Sequence, residues 1–235
     1  MRLVLPLRES VRATPRTRII RLDLGAGPFP FAAGQAAVIG RPGSPLRKPY
    51  SIASSPRQAA DAHTLEFLVQ IDDADEDAPH LEEMSIGTPL DVDGPFGTFT
   101  LPVDLDTRDV LLVAGGTGIA PLRSMLWDLL ERQADIRLAL VYSARSADEF
   151  AYESELRDRA AERRVDVRFT VTREGKEQWL GPRGRIDARL IQSVVHTTET
   201  RCAICGPPGM VNSVTKLLVA AGISPERILT ESFST

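Results

Sequence analysis

Cysteine is nearly absent from this chain of 235 residues, with Cys202 and Cys205 its only two. Two thiols exclude a disulfide-built scaffold and a resident four-ligand iron–sulfur cluster, so such a centre would have to belong to a partner. Their C-x-x-C spacing suits a dithiol, yet the pair spans the apolar run Cys202-Ala203-Ile204 before a Gly-Pro-Pro turn, which favours burial. Histidine is as scarce: His63, His80 and His196 lie far apart without ligand-like spacing, so no metal is expected. No run approaches the roughly 18 apolar residues of a membrane span, and no basic end followed by an apolar core marks a signal peptide. The sequence therefore reads as cytoplasmic. A net charge of −4 lacks the positive field of a nucleic-acid binder. Repeats and low-complexity tracts are missing too.

What is present suits a globular protein. With 43% hydrophobic and 26% charged residues, the chain is long enough for two domains with cores of their own. Up to about residue 103, short apolar or β-branched runs at 19–24, 36–40, 65–71 and 90–93 alternate with glycine and proline, without a long helix. That spacing predicts an antiparallel Greek-key barrel. Beyond residue 104 the pattern becomes strand, loop and helix. Residues 109–114 form a continuous apolar run suited to a strand buried on both faces, and Leu122, Met125, Leu126, Leu129 and Leu130 follow at helical spacing. Further strands are expected at 138–142, 165–171, 201–205 and 228–233, with helices near 148–163, 187–195 and 208–221, the last closed by Gly222. The expectation is a barrel domain at 1–103 and a doubly wound, five-strand parallel sheet with flanking helices at 104–235, joined by a polar linker at 102–108.

Four signatures punctuate this plan: Arg47-Lys48-Pro49-Tyr50-Ser51, Gly94-Pro95-Phe96-Gly97, Gly115-Gly116-Thr117-Gly118-Ile119-Ala120-Pro121 and Cys205-Gly206-Pro207-Pro208-Gly209-Met210. The third lies directly after a buried strand and before a helix with Pro121 near its first turn. Glycine there permits a tight turn and close backbone approach, and the helix start offers unpaired N–H groups to a pyrophosphate. It is not the G-x-G-x-x-G fingerprint. In the first signature Lys48 and Tyr50 share a strand face and Arg47 takes the other. Taken singly, the first would be a strand with a Pro49 bulge, the second a tight turn, and residues 228–235 an edge strand.

Together the signatures resemble the ferredoxin-NADP reductase superfamily over nearly the whole chain. The resemblance implies a flavin on the barrel, a nicotinamide dinucleotide on the second domain, hydride passing from one to the other, and electrons leaving singly. It implies a phosphate-binding role for Lys48, which stands where the family has arginine, with Arg47 one residue earlier and Pro49 between Lys48 and Tyr50. Lysine would serve as a point charge without the guanidinium fork. Tyr50 is implied beside the flavin ring and Ser51 near its N5, while Gly94 and Gly97 lie where the two domains face each other. Gly115, Gly116, Thr117, Gly118 and Pro121 match the family's dinucleotide loop. Cys205 is implied beside the nicotinamide C4, positioning and not attacking, with Gly206, Pro207 and Met210 close by. Glu231 and Phe233 resemble the family's acid-x-aromatic terminus, the aromatic on the flavin and the acid near Ser51. Ser51, Cys205 and Glu231 are thus the expected catalytic residues.

FAD is expected over FMN. FAD-holding members usually place a hydroxyl residue at a helix start against the pyrophosphate; the matching stretch here, 78–84 followed by Gly87-Thr88, offers only backbone N–H groups, which leaves FMN or loosely held flavin open. NADPH is expected over NADH, because Ser143 and Arg145 follow the second strand of the sheet, Arg173 follows the third in Thr172-Arg173-Glu174, and Arg183 and Arg185 come soon after. Asp148 and Glu149 read as a helix start, and Arg183 also reads as a surface arginine. The implied protein is a monomeric flavoprotein oxidoreductase serving an acidic electron carrier such as ferredoxin or flavodoxin, or an oxygenase component. Arg2, Arg8, Arg12, Arg16, Arg18 and Arg21, set against Glu9 and a run of acids at 72–77, form either a solvated surface or a basic docking face for that carrier. Two rival readings are an NAD(P)H:flavin oxidoreductase using free flavin, and a non-catalytic electron-transfer subunit of a larger complex.

Overall fold

The computed structural model describes residues 1–71, 79–132, 135–173 and 179–233. The acid run at 72–77, Ala78, Glu174 and residues 234–235 lie outside the described residues.

The N-terminal strands are β1 (Arg2–Thr14), β2 (Thr17–Asp23), β3 (Ala36–Gly40), β4 (Arg47–Ser51), β5 (Thr64–Gln70) and β6 (Pro89–Phe96). They form one antiparallel sheet in the order β4-β3-β6-β1-β2-β5. Its two edges meet through an Ile52–Phe67 bridge and the Ala53 N–H donating to the Glu66 carbonyl at 2.8 Å, which closes the sheet into the expected barrel. Leu5, Leu7, Ile20, Leu22, Ile39, Phe67, Leu90 and Val92 fill it. β1 escapes the apolar-run reading because only three of its thirteen residues are buried, and arginines interrupt its alternation. Helix α1 (Pro56–Ala62) has no counterpart among the expected elements. Ser55 caps it, its Oγ accepting from the Gln58 N–H at 3.0 Å while the Gln58 side chain accepts from the Ser55 N–H at 3.1 Å, with Pro56 in the first helical position.

The second sheet is wholly parallel and contains β7 (Asp109–Gly115), β8 (Arg137–Ala144), β9 (Asp166–Val171), β10 (Arg201–Gly206) and β11 (Ile228–Ser232), in the order β11-β10-β7-β8-β9. Between the strands run α2 (Ile119–Arg132), α3 (Glu153–Ala161), α4 (Ala188–Gln192) and α5 (Pro208–Ala220). The expected helix from 148 begins only at Glu153, since Ala147–Glu149 is a 3-10 turn and Tyr152 is left-handed at φ 61°. Gly222, at φ 91°, ends α5. After β7 the chain winds through β8 and β9 on one side, then returns to β10 on the other. The loops leaving β7 and β10 therefore diverge and open a crevice at the carboxyl ends of the strands.

Side chains three apart on a strand point to opposite faces. Cys202 accordingly packs with Leu111, Val113 and Ile204, and Cys205 with Leu112, Ala114 and Ala203 on the other face, so the two thiols do not form a dithiol pair. Barrel residues Ala33, Ala53, Leu68 and Phe99 join Ala120, Leu122 and Met125 of α2 in one apolar cluster, which fixes the barrel against the parallel sheet. No described helix is long and apolar enough to cross a membrane. Among the described residues no group of three metal-ligating side chains occurs.

Candidate functional site

The crevice is a cavity of about 470 Å³ built from strand ends. Gly115 ends β7 with Gly116 and Thr117 after it, Ser143 lies at the end of β8 with Arg145 just beyond, Arg173 follows β9, Pro207 and Met210 follow β10, and Phe233 follows β11. Arg185 completes that side. The facing wall belongs to the barrel: Thr14, Arg16 and Thr17 at the β1–β2 turn, with Leu68 and Gln70 of β5. Both sheets therefore bound one space, as a site that joins two cofactors requires.

The close backbone approach expected of the glycine loop is found at Gly118, and Gly115 is packed as closely against side chains. A Cβ at Gly118 would fall on the Cys205 carbonyl oxygen, and one at Gly115 would lie 2.5 Å from Met210 Sδ. These glycines let the chain ends of β7 and β10 pack on each other, with Gly206 pressed against the Gly115 backbone. Gly116 alone of the three turns toward open space, at φ 54° with no atom near the place a methyl group would take. Its carbonyl accepts from the Tyr142 hydroxyl at 3.1 Å. Burial pushes the Tyr142 phenol pKa up and keeps that donor neutral. Behind the loop, Pro121 is buried in the first turn of α2.

Cations gather at the other end of the cavity. The β8–β9 ladder continues past both strands, with the Thr172 N–H donating to Ala144 and the Arg173 N–H to Arg145, each at 2.9 Å. This sets Arg145 and Arg173 side by side. Arg183 is not among the cavity residues; its Nη2 donates to the Trp179 carbonyl at 3.0 Å, the surface role that was the alternative for it. Glu149, read as part of a helix start, instead lines the cavity and pairs with Arg16, Nε to Oε1, at 2.9 Å.

Cys205 and Glu231 are register partners across β10 and β11, and the thiol donates to Glu231 Oε2 at 3.8 Å. Burial, reinforced by the Glu231 charge and its hydrogen bond, raises the Cys205 pKa. Burial also raises that of Glu231, against the opposing hydrogen bond from Cys205. A neutral, buried thiol suits positioning and not nucleophilic attack. Cys202 is likewise pushed up to about 12 by burial.

Ser51 sits in the other sheet. It pairs with Ala36 on β3, which also pairs with Phe96 on β6, so β3 brings the first two signatures into one row. Gln35 Nε2 donates to the Gly97 carbonyl at 3.1 Å, and a Cβ at Gly94 would press on Ala36 and Ala37 at 3.1 Å. Lys48 and Tyr50 oppose Ile39 and Ala37, and Tyr50 packs on the barrel core; Arg47, Pro49 and Ser51 take the other face. The Arg47 stem lies over Gly40, where a Cβ would meet its Cγ at 2.5 Å. Its Nε and Nη2 are buried with no hydrogen-bond partner among the described residues, the kind of unmet donor that a phosphate satisfies. Of the stretch expected to start a helix against a pyrophosphate, the described residues form the 3-10 turn Leu81–Glu83, with two acids in it.

The N-terminal arginines do not form one free face. Arg2 pairs with Asp91 at 2.6 Å, Arg18 bonds Ser10 at 2.9 Å, Arg21 bridges Glu9 and Glu66, and Arg16 reaches the cavity. Sequence reasoning therefore missed Arg16 and Glu149 as cavity residues, along with the barrel wall as a whole. The Thr-Pro-Arg-Thr composition does mark a turn there, but not what the turn faces.

A family model described as an oxidoreductase NAD-binding domain matches residues 112–216. Oxidoreductase NAD-binding domain-containing protein 1 of Danio rerio is 30% identical over 236 residues, covering 91% of this chain and 85% of that protein. The reductase component DmpP of phenol 2-monooxygenase from Pseudomonas sp. (strain CF600) is 28% identical over 220 residues, covering 92% of this chain and 60% of its own length. This chain spans only 43% of another relative, the Danio rerio cytochrome b5 reductase 4. Among solved structures, the Amycolatopsis cytochrome P450 reductase GcoB superposes with a TM-score of 0.85 at 26% identity, over all of this chain and 70% of that one. With the antiparallel barrel, the parallel sheet and the crevice between them, these matches establish that the chain belongs to the ferredoxin-NADP reductase superfamily of NAD(P)H oxidoreductases.

Proposed function

We propose that this chain is an NAD(P)H-dependent flavoprotein reductase, with FAD on the barrel (1–103), the dinucleotide on the parallel sheet (104–235), and an oxygenase component as the electron acceptor. The observation that carries the reading is a single cavity bounded by both sheets, with arginines at one end and the Cys205–Glu231 pair bordering the β10 turn. A relative named as the reductase component of a phenol 2-monooxygenase and a similar structure named as a cytochrome P450 reductase support the choice of acceptor.

Flavin bound there would supply the chemistry of accepting hydride and releasing electrons singly. The chain's own residues supply alignment. Gly116 and the N–H groups opening α2 receive the pyrophosphate, and Ser143, Arg145, Arg173 and Arg185 favour NADPH through its additional phosphate. Pro207 and Met210 wall the nicotinamide end, and Phe233 keeps water from it. Cys205 fills space beside the reacting carbon as a neutral thiol, and Glu231 fixes its rotamer by accepting its hydrogen bond. On the barrel, Tyr50 and Ser51 flank the ring, and Arg47 and Lys48 are the cations for the flavin phosphate. The unmet donors of Arg47 are the observation that fits a phosphate to this strand.

The test is a visible spectrum of the purified protein followed by anaerobic titration with NADPH and with NADH. A flavin band that bleaches at lower NADPH than NADH supports the proposal. The second reading, reduction of free flavin, is favoured by the single turn at Leu81–Glu83, where a pyrophosphate helix was expected. It predicts colourless protein that oxidises nicotinamide only when flavin is added.

A further inference from the structure

Arg16 is a barrel residue that reaches into the dinucleotide cavity. The turn carrying it is held by the Thr14 and Thr17 hydroxyls, which bond each other at 2.8 Å, and by the Arg16 N–H donating to Thr14 Oγ1 at 3.2 Å. Its Nε lies 2.9 Å from Glu149 Oε1, on the 3-10 turn beyond β8. Among the described residues that line the cavity, Glu149 is the only acid, set against Arg16, Arg145, Arg173 and Arg185.

We propose that Arg16 binds a phosphate of the dinucleotide from the barrel side, and that Glu149 competes with that phosphate for the same guanidinium. The inference rests on the dinucleotide reading of the cavity and adds to it a determinant from the other domain. Engagement of Glu149 through Nε leaves the Nη edge of the guanidinium fork for a second acceptor. A carboxylate beside bound phosphates repels them, and Arg16 is the group that offsets it. The two residues of one ion pair therefore have opposite effects on affinity. A pair that only fastened the turn to the sheet would act otherwise, since loss of either partner would weaken binding alike.

The experiment measures dissociation constants of NADP⁺ and NAD⁺ by titration calorimetry on the flavin-loaded protein at low salt, for wild type, Arg16→Gln, Arg16→Lys, Glu149→Gln and the double variant. Thermal melts confirm that each is folded. Arg16→Gln is expected to weaken binding on the order of tenfold, the value of a charge-assisted hydrogen bond. Glu149→Gln tightens it several-fold, Arg16→Lys falls between wild type and Arg16→Gln, and the double variant remains weaker than Glu149→Gln alone. A loss confined to NADP⁺ assigns the contact to the adenosine 2′-phosphate, and an equal loss for both nucleotides assigns it to the pyrophosphate. Either supports the proposal. Unchanged affinity in Arg16→Gln overturns it, as does weakening in Glu149→Gln, while wild-type binding shows that the cavity reading itself stands. Wild-type protein that binds neither nucleotide overturns both.

Discussion

Arg123, on the second turn of α2, donates its Nη1 hydrogen to the carbonyl oxygen of Ala53 at 2.8 Å and so ties the helix after the glycine loop to the segment after β4. The next residues repeat the arrangement: Ser124 Oγ donates to the Ser54 carbonyl at 2.7 Å, and Ser55 Oγ donates to Glu131 at 2.8 Å. Three consecutive barrel residues are thus held by one helix. Arg123 also forks onto Glu155 at 2.9 and 2.7 Å, lies 3.1 Å from Glu66 of β5, and stacks 4.5 Å over the Tyr152 ring. Burial opposes its charge, yet Glu66 and Glu155 outweigh burial and raise its pKa.

Arg123→Met removes the cation from a buried cluster and leaves Glu66, 5% exposed, without that partner. Breaking a buried pair from one side costs about 3–5 kcal/mol, and a corresponding fall in urea stability is expected. Arg123→Lys keeps the charge without the fork, so it should recover part of the stability. Single-turnover hydride transfer should slow further than the dissociation constant for NADP⁺ rises, because the helix still offers its N–H groups but no longer sits in fixed register with β4.

The regular parts of this molecule were legible because burial and periodicity coincide there. β3 occupies the same residues as its apolar run, and β7 is buried along its whole length. β1 was hidden because half its surface is wet and arginine-rich, and α1 because seven residues give too short a period to read. Motifs marked the loops after β7 and β10. Arg16, Glu149 and Arg123 escaped because their roles depend on which distant segment each one meets, and local spacing carries no record of that.

Gly118→Ala and Gly116→Ala should fail differently. At Gly118 the methyl strikes the Cys205 backbone, which cannot yield as a flexible side chain would, so both loops must part. Loss of dinucleotide affinity and a lower denaturation midpoint are expected together. Gly116→Ala meets no atom but forces a left-handed residue to carry a Cβ, at a cost of about 1–2 kcal/mol. Its methyl enters the open side of the loop, so affinity should fall more than stability. Calorimetric titration alongside urea melts separates the two.

Arg47 and Lys48 make opposing claims on the flavin phosphate. Lys48 has the family position, whereas Arg47 has buried nitrogens with no hydrogen-bond partner among the described residues. Arg47→Ala is expected to lower the flavin-to-protein ratio after gel filtration more than Lys48→Ala does. Arg47→Lys should not restore it, since the ammonium lacks the fork. The reverse order would return the phosphate to Lys48.

Glu231 gives the fold a pH dependence whose sign follows from its burial. Its folded pKa is raised above the ordinary 4.5, so the folded chain binds more protons than the unfolded chain between the two values. The favourable contribution is fully present below 4.5 and is lost as pH rises through the raised folded value. At neutral pH a half-buried carboxylate is retained at a cost to stability. Glu231→Gln should therefore melt higher than wild type at pH 7, and the gap should narrow toward pH 4 as wild-type Glu231 takes up its proton. The same variant should keep flavin and hydride transfer near wild type, because the amide oxygen still accepts the Cys205 thiol hydrogen bond; Glu231→Ala, which removes that acceptor, should slow hydride transfer without loss of flavin. A constant difference in melting temperature across pH 4–8 would show that the Glu231 carboxylate does not titrate in the folded protein as its burial beside Cys205 requires.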